Sequence, residues 1–204
     1  MKLFTLFILI IFCSLIYSCT DDNPSTTPGI STTINNLPAD PTTGYDPVTG
    51  APIGDKKLFT FLKLADSSII PNSDSATNRW DIGFKATTII INSGTSGPGQ
   101  AGAFIFNGIF KDLKSVPKDS FFKTDNFPLY AIGKSWSLYD NSAMIVRAVP
   151  GKVIVLRTAD GKYAKMEILS YYKNAPANPN AFVDQARYYT LRYVYQADGS
   201  KNFD

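Results

Sequence analysis

The sequence predicts an all-β protein: antiparallel sheets and hairpins in a single domain, with few short helices. Three observations carry that expectation. Short runs rich in aromatic and β-branched residues recur through residues 56–204. Turn dipeptides punctuate them, notably Pro150-Gly151, Asp160-Gly161 and Asp198-Gly199. The chain also has no long amphipathic helix pattern and no internal repeat.

The elements follow in order. Lys57 to Leu64 reads as a strand, and Trp80 to Phe84 and Thr87 to Ile91 as two more. A glycine-rich stretch, Asn92 to Gln100, separates these from a strand over Ala103 to Phe106. Its glycines suit a loop with positive φ. It lacks the Gly-Lys-Ser/Thr ending of a phosphate loop and opens no helix. Residues 116–127 read as a short helix or a loop, and Trp136 to Tyr139 as a strand. Ile145 to Val149, Lys152 to Thr158 and Lys162 to Tyr172 read as a three-stranded meander closed by the Pro-Gly and Asp-Gly turns. Beyond a Pro/Asn loop (174–180), Arg187 to Gln196 is a long aromatic strand. Trp80 on its strand is expected in the core.

The N-terminus has a different character. Met1-Lys2 precedes an apolar run from Leu3 to Tyr17, and Ser18 stands directly before Cys19. This resembles a bacterial lipobox, with residues 1–18 a signal peptide and Cys19 the lipidated N-terminus of the mature chain. The run is too short for a lasting membrane span, so the lipid is the expected membrane attachment. Cys13 leaves with the signal, so no thiol remains for a disulfide or a cysteine metal site. Thr20-Asp21-Asp22 resembles the surface-export signal of Bacteroidetes lipoproteins. Residues 19–55 are dominated by Pro, Thr, Ser, Asn, Gly and Asp and read as a flexible tether. Its end, near Tyr45 and Val48, is a candidate to dock on the domain. The globular domain is then residues 56–204, long enough to bury roughly 70% of its extended-chain surface.

Charge and composition exclude several functions. The whole chain carries +3, and loss of Lys2 leaves +2, too little to argue for nucleic acid. With no histidine in the sequence there is no Ser-His-Asp arrangement, and a mature chain without a free cysteine has no thiol nucleophile. The carboxylates Asp81, Asp140, Asp160, Glu167 and Asp184 are scattered, and the expectation is a protein that is not an enzyme.

A family resemblance rests on several motifs. They are Arg79-Trp80-Asp81-Ile82-Gly83-Phe84-Lys85, Ile91-Asn92-Ser93-Gly94-Thr95-Ser96-Gly97 and Val149-Pro150-Gly151-Lys152-Val153. Thr158 to Lys165, Ser170-Tyr171-Tyr172-Lys173 and Ala197-Asp198-Gly199-Ser200 complete them in order. Across residues 56–203 the chain resembles the HmuY family of Bacteroidetes haem-binding lipoproteins. The resemblance implies an all-β fold, haem b (iron protoporphyrin IX) as cofactor, and attachment to the outer membrane at the cell surface. It implies host haemoproteins as a haem source and a TonB-dependent outer-membrane receptor as the recipient.

One departure bears on the ligands. The founding member holds haem iron with two histidines, which this chain lacks, and other members use methionine. Met144 and Met166 are the two methionines left after signal cleavage and become the expected axial ligands. If both turns are two-residue turns, Val146, Val155 and Met166 form one row across three strands, with Met144 on the same face. Two strand spacings of about 9.6 Å in all, and an offset of about 6.6 Å, then separate the two methionines. A bulge at either turn reverses the parity. Met166 also alternates with Ala164 and Ile168, as a core residue does, so both readings stand. Tyr130, Tyr139, Tyr171 and Tyr172 are competing ligands, and Arg147, Lys134 and Lys152 candidates to pair with propionates. The alternative is a surface lipoprotein of the same fold that binds a peptide, a glycan or a partner protein.

Overall fold

The computed structural model of the protein describes residues 28–204, so the expected signal peptide and Cys19 lie outside the described residues. Its strands are β1 (Ile30–Pro38), β2 (Gly44–Tyr45), β3 (Pro52–Ile53), β4 (Thr60–Leu62), β5 (Ile69–Ile70), β6 (Ile82–Lys85) and β7 (Thr88–Ile91). They continue as β8 (Gly102–Asn107), β9 (Ser137–Asp140), β10 (Ile145–Ala148), β11 (Lys152–Arg157), β12 (Tyr163–Tyr172) and β13 (Ala186–Gln196). Helix is confined, among the described residues, to the short 3-10 turns Asn72–Asp74 and Phe110–Asp112. The expected all-β class is what the chain adopts.

Four sheets form. A large antiparallel sheet runs β1-β13-β12-β11-β8, a smaller one runs β5-β4-β6-β7, and β9–β10 and β2–β3 are hairpins. The two larger sheets share one core. Ile154, Leu156, Ala164, Met166, Leu191 and Tyr193 of the first meet Leu62, Ile82, Phe84, Ile89 and Ile91 of the second. Period-two alternation delivers this layer. The opposite face of the large sheet, with Val153, Val155 and Val194, is roofed by Phe110, Leu113, Val116 and Phe203. Cover on both faces explains why Val153 to Leu156 are apolar without a break. Lys165 lies under the roof. Its ammonium donates to the carbonyls of Phe110 at 3.0 Å and Leu113 at 2.7 Å, and its burial lowers its pKa.

Asp81 ties the two sheets together. Its buried carboxylate accepts the Leu64 N–H at 2.9 Å, the Ala159 N–H at 3.0 Å and the Lys63 ammonium at 3.1 Å. Lys63 also reaches Asp160, at 3.3 Å. Trp80 is in the core as expected, with its indole N–H on the Ser75 carbonyl at 2.9 Å. The glycine-rich segment is a loop held by the Asn92 side chain. Asn92 donates to the Thr77 and Trp80 carbonyls and accepts the Gly99 N–H.

Three expectations are corrected. Residues 30–55 are not a tether: β1 pairs with β13 as an edge strand of the large sheet. Its Ser, Thr and Asn read as linker by composition, but Thr32, Thr33 and Ile34 are β-branched and Leu37 is buried. Residues 40–57 are then pinned by Asp40, which accepts the Lys56 and Lys57 N–H groups, and by the Arg187–Asp55 ion pair at 3.0 Å. Second, β10 does not join the meander but pairs with β9, while β11 lies between β8 and β12. Gly151 has φ of 76°, and Lys152 N–H bonds the Val149 carbonyl, the pattern of a type II turn. Such turns splay the flanking strands. Third, the loop between β11 and β12 has three residues, Ala159 to Gly161, inside the Thr158 N–H to Lys162 carbonyl bond. Gly161 takes the left-handed position at φ of 84°. The extra residue places Ile154, rather than Val155, opposite Met166.

Candidate functional site

The site begins with the β9–β10 hairpin. Asp140 ends β9, and its carboxylate accepts the Ser142 hydroxyl at 2.7 Å and the Ser142 and Ala143 N–H groups at 3.1 and 3.2 Å. Arg147 returns from β10 to the same carboxylate at 3.3 Å. The Ser142 hydroxyl first, then the Ala143 N–H, with Arg147 adding, pull the Asp140 pKa down to about 2. This knot turns the chain through Met144, which has φ of 54°, a left-handed value costly for a methionine. Ile145 then plugs into the core. The Val146 N–H leaves the hairpin and donates to the Tyr172 hydroxyl at 2.9 Å, docking β10 on the end of β12.

The second wall is the connection between β12 and β13. Lys173 N–H bonds the Gln185 carbonyl at 2.9 Å, and Asn174 is clasped by Asn36 of β1. The Asn180 N–H donates to the Asp184 carboxylate, and the Asp184 N–H donates to the Asn180 carbonyl. The loop is therefore organised, yet it turns Phe182 and Val183 outward, 83% and 77% exposed. Between it and the hairpin lies a cleft of about 280 Å³. Val146, Arg147, Ala148 and Pro150 line one side, and residues 169–172 with Pro176, Ala177 and Pro179 line the other. A smaller hollow of about 120 Å³ lies between the same loop and residues 42–45.

Phenols gather here. Tyr172 is buried, and that burial first of all raises its pKa, with Tyr45 and Tyr139 near enough to add to the rise. Tyr171 is buried beside it, its pKa also raised by burial. Tyr45 on β2 and Tyr139 on β9 stay more than half exposed. Tyr139 stands directly across from Val146 in the hairpin register, which puts it on the Val146 side of the sheet.

The two expected methionine ligands are not brought together. Met166 is fully buried in the shared core, flanked by Ile154 and Tyr193. Met144 is 48% exposed on the hairpin loop. One residue separates it from Val146, which abuts the Tyr172 end of β12, and Met166 is six residues back along β12, about 20 Å at the rise of a strand. Two sulfurs on one iron would sit roughly 5 Å apart, twice a metal–sulfur bond. The row that was to unite them fails because β10 leaves the meander and the β11–β12 register shifts by one. Of the other candidates, Tyr139, Tyr171, Tyr172 and Arg147 are at the cleft, whereas Tyr130 and Lys134 line a different depression. Lys152 is committed to Asn107 at 2.7 Å. Sequence reading missed Tyr45 as a site residue. The signal for it was the turn Asp46-Pro-Val-Thr-Gly50, whose Asp46 accepts the Val48 and Thr49 N–H groups and closes a hairpin.

The donor set suits haem on chemical grounds. The walls offer alanine, proline and aromatic surface, Tyr45 and Tyr139 stand near Tyr172 with phenols of the kind that can meet iron, and Arg147 can meet a carboxylate. No helix among the described residues is long and apolar enough to cross a membrane.

No family model matches the chain, and no curated protein matches it. Solved structures do. A provisionally described lipoprotein from Bacteroides fragilis is similar at 15% identity over 82% of this chain and 91% of that one, with a TM-score of 0.50. The apo HmuY analog of Tannerella forsythia is similar at 15% identity over 84% of this chain and 98% of that one, with a TM-score of 0.48. A provisionally assigned HmuY-like heme-binding protein of Bacteroides vulgatus is similar at 15% identity over 85% and 94%, with a TM-score of 0.47. The chain shares its fold with the Bacteroides fragilis protein, and at this identity the likeness is one of architecture.

Proposed function

We propose that the chain is a haem-binding lipoprotein, anchored to the outer membrane through Cys19 and exposed at the cell surface. In this reading it takes haem b from host haemoproteins and passes it to a TonB-dependent receptor. The observation that carries the reading is one cleft between the β9–β10 hairpin and the 173–185 loop, lined by Arg147, Tyr171 and Tyr172, with Tyr45 and Tyr139 near the Tyr172 phenol. The ordered motifs shared with the HmuY family support it. Haem would lie on the apolar walls with one edge in solvent, since the cleft of about 280 Å³ falls just below the ~300 Å³ at which enclosed small-molecule pockets begin. Met144 and an exposed phenol, in place of the Met166 thioether, would hold the iron, and Arg147 would meet a propionate. The chain has no catalytic role in this scheme.

Haemin titration of the lipid-free domain tests it. The expected result is a shifted Soret band at stoichiometric protein, with a ferrous spectrum that changes in Met144→Ala. A free-haemin spectrum at that ratio overturns the proposal. The second reading, a surface lipoprotein that binds peptide, glycan or protein, has one observation in its favour. Phe182 and Val183 crest the loop beside the hollow at residues 42–45, as a macromolecular contact would require. A glycan-array or peptide hit without haemin binding would select it.

A further inference from the structure

The path of β1 fixes which pole of the molecule faces the membrane. At its start Ile30 pairs with Tyr195, and at its end Pro38 pairs with Tyr188. The start lies beside the C-terminal segment: a Cβ on Gly29 would come within 3.7 Å of the Phe203 carbonyl. Lys201 is exposed at this pole, its backbone carbonyl held by the Val116 N–H and its ammonium over the Tyr163 ring. The end of β1 lies at the other pole. There Ala39 N–H bonds the Arg187 carbonyl, Tyr172 pairs with Ala186, and the cleft opens against Tyr172. Nine residues of strand hold the poles about 30 Å apart.

Lipidation at Cys19 would leave ten residue steps to Gly29. Ten steps span at most about 35 Å in any conformation. The first pole is therefore held within that distance of the bilayer, whereas the 36 residues expected between Cys19 and the domain would have let it roam. We propose that the Ile30–Lys201–Phe203 pole is the lipid-proximal face and that the cleft is presented at the far pole, toward the medium. This rests on the lipid-anchor part of the proposed function and is independent of haem. The consequence concerns partners. The rim with Phe182, Val183 and Tyr45 is open to a macromolecule arriving from outside, and the lipid headgroups lie under the opposite end.

The test uses the full lipidated chain, which has no cysteine after Cys19. Single cysteines are introduced as Lys201→Cys and Phe182→Cys, both at exposed positions. Each is labelled with a thiol-reactive fluorophore and reconstituted in phosphatidylethanolamine/phosphatidylglycerol vesicles that carry a headgroup quencher. The expected result is quenching at position 201 at least threefold stronger than at position 182. Equal quenching, or stronger quenching at 182, overturns the orientation. Failure of the wild-type chain to stay with the vesicles overturns it at its premise. Haemin titration of the same samples is read separately, so loss of the haem reading and loss of the orientation give different results.

Discussion

Met144 and Met166 pair as expected ligands in the sequence, with a core-like alternation at Met166 alone, and are opposites in structure. Met166 fills the shared core between Ile154 and Tyr193, while Met144 sits exposed on a turn. Removing each should therefore break a different property. Met166→Ala should cost about 2–5 kcal/mol, the range for emptying a buried position, and leave any haem spectrum alone. Met144→Ala should change stability by less than about 0.5 kcal/mol, as exposed sites do, and alter the ferrous haem spectrum. Urea denaturation paired with absorbance checks both, and a haem spectrum lost only in Met166→Ala would reverse the assignment. Asp140 sets the turn that carries Met144, so its titration reports that turn. Hydrogen bonds from Ser142 and Ala143, with Arg147 behind them, hold its pKa at about 2 against the ordinary ~3.9. The folded pKa is the lower one, so the support is complete above about pH 4 and is lost as pH falls through 2. Carboxyl NMR should give a midpoint near 2 in the wild type. In Arg147→Ala it should rise only slightly, because the Ser142 and Ala143 bonds remain.

Elements were legible where local chemistry decides them and obscure where a turn chooses between partners. β6, β7, β8, β9, β12 and β13 fall within a residue or two of the runs that announce them. The Asp160-Gly161 dipeptide does mark a hairpin, yet the loop holds three residues with glycine in the left-handed position, a choice that parity of strand pattern cannot reveal. Pro150-Gly151 marks a turn whose type sends β10 away from β11, and strand propensity says nothing about that. Asp81 reads in the sequence as one of several scattered carboxylates, but its role spans elements far apart in sequence. It joins the Leu64 and Ala159 backbones and Lys63 at one buried carboxylate, whose burial raises its pKa. Asp81→Ala should orphan two buried N–H groups, leave Lys63 with Asp160 alone, and cost about 3–5 kcal/mol, as breaking a buried ion pair does. Thermal denaturation should show that loss, and a shift of only a degree or two would mean that water replaces the carboxylate at no cost.

On the scale of the whole molecule, composition misplaced the domain boundary because it weighs residue types and ignores what an open sheet edge demands. Ser, Thr and Asn between Ile30 and Asn36 look like linker, but β13 is eleven residues long and needs a neighbour on the side away from β12. β1 supplies it, and Leu37 and Ala39 are buried at its end. Without β1, the aromatic-rich β13 would present an unpaired row of N–H and C=O groups, a template for self-association. A chain beginning at Lys56 also loses the Asp40 caps and the Asp55 partner of Arg187, leaving a mostly buried guanidinium without its carboxylate. Burial of Leu37 and the half-buried Ile34, the sheet ladder and that ion pair together amount to a loss on the order of 5 kcal/mol or more, comparable with the whole stability of many domains. Residues 28–204 should therefore give a monomeric, cooperatively unfolding protein. Residues 56–204 should be aggregated or unfolded at the same concentration. Size-exclusion chromatography with denaturation of the two proteins side by side decides this, and a soluble 56–204 fragment of undiminished stability would return residues 28–55 to the status of a tether.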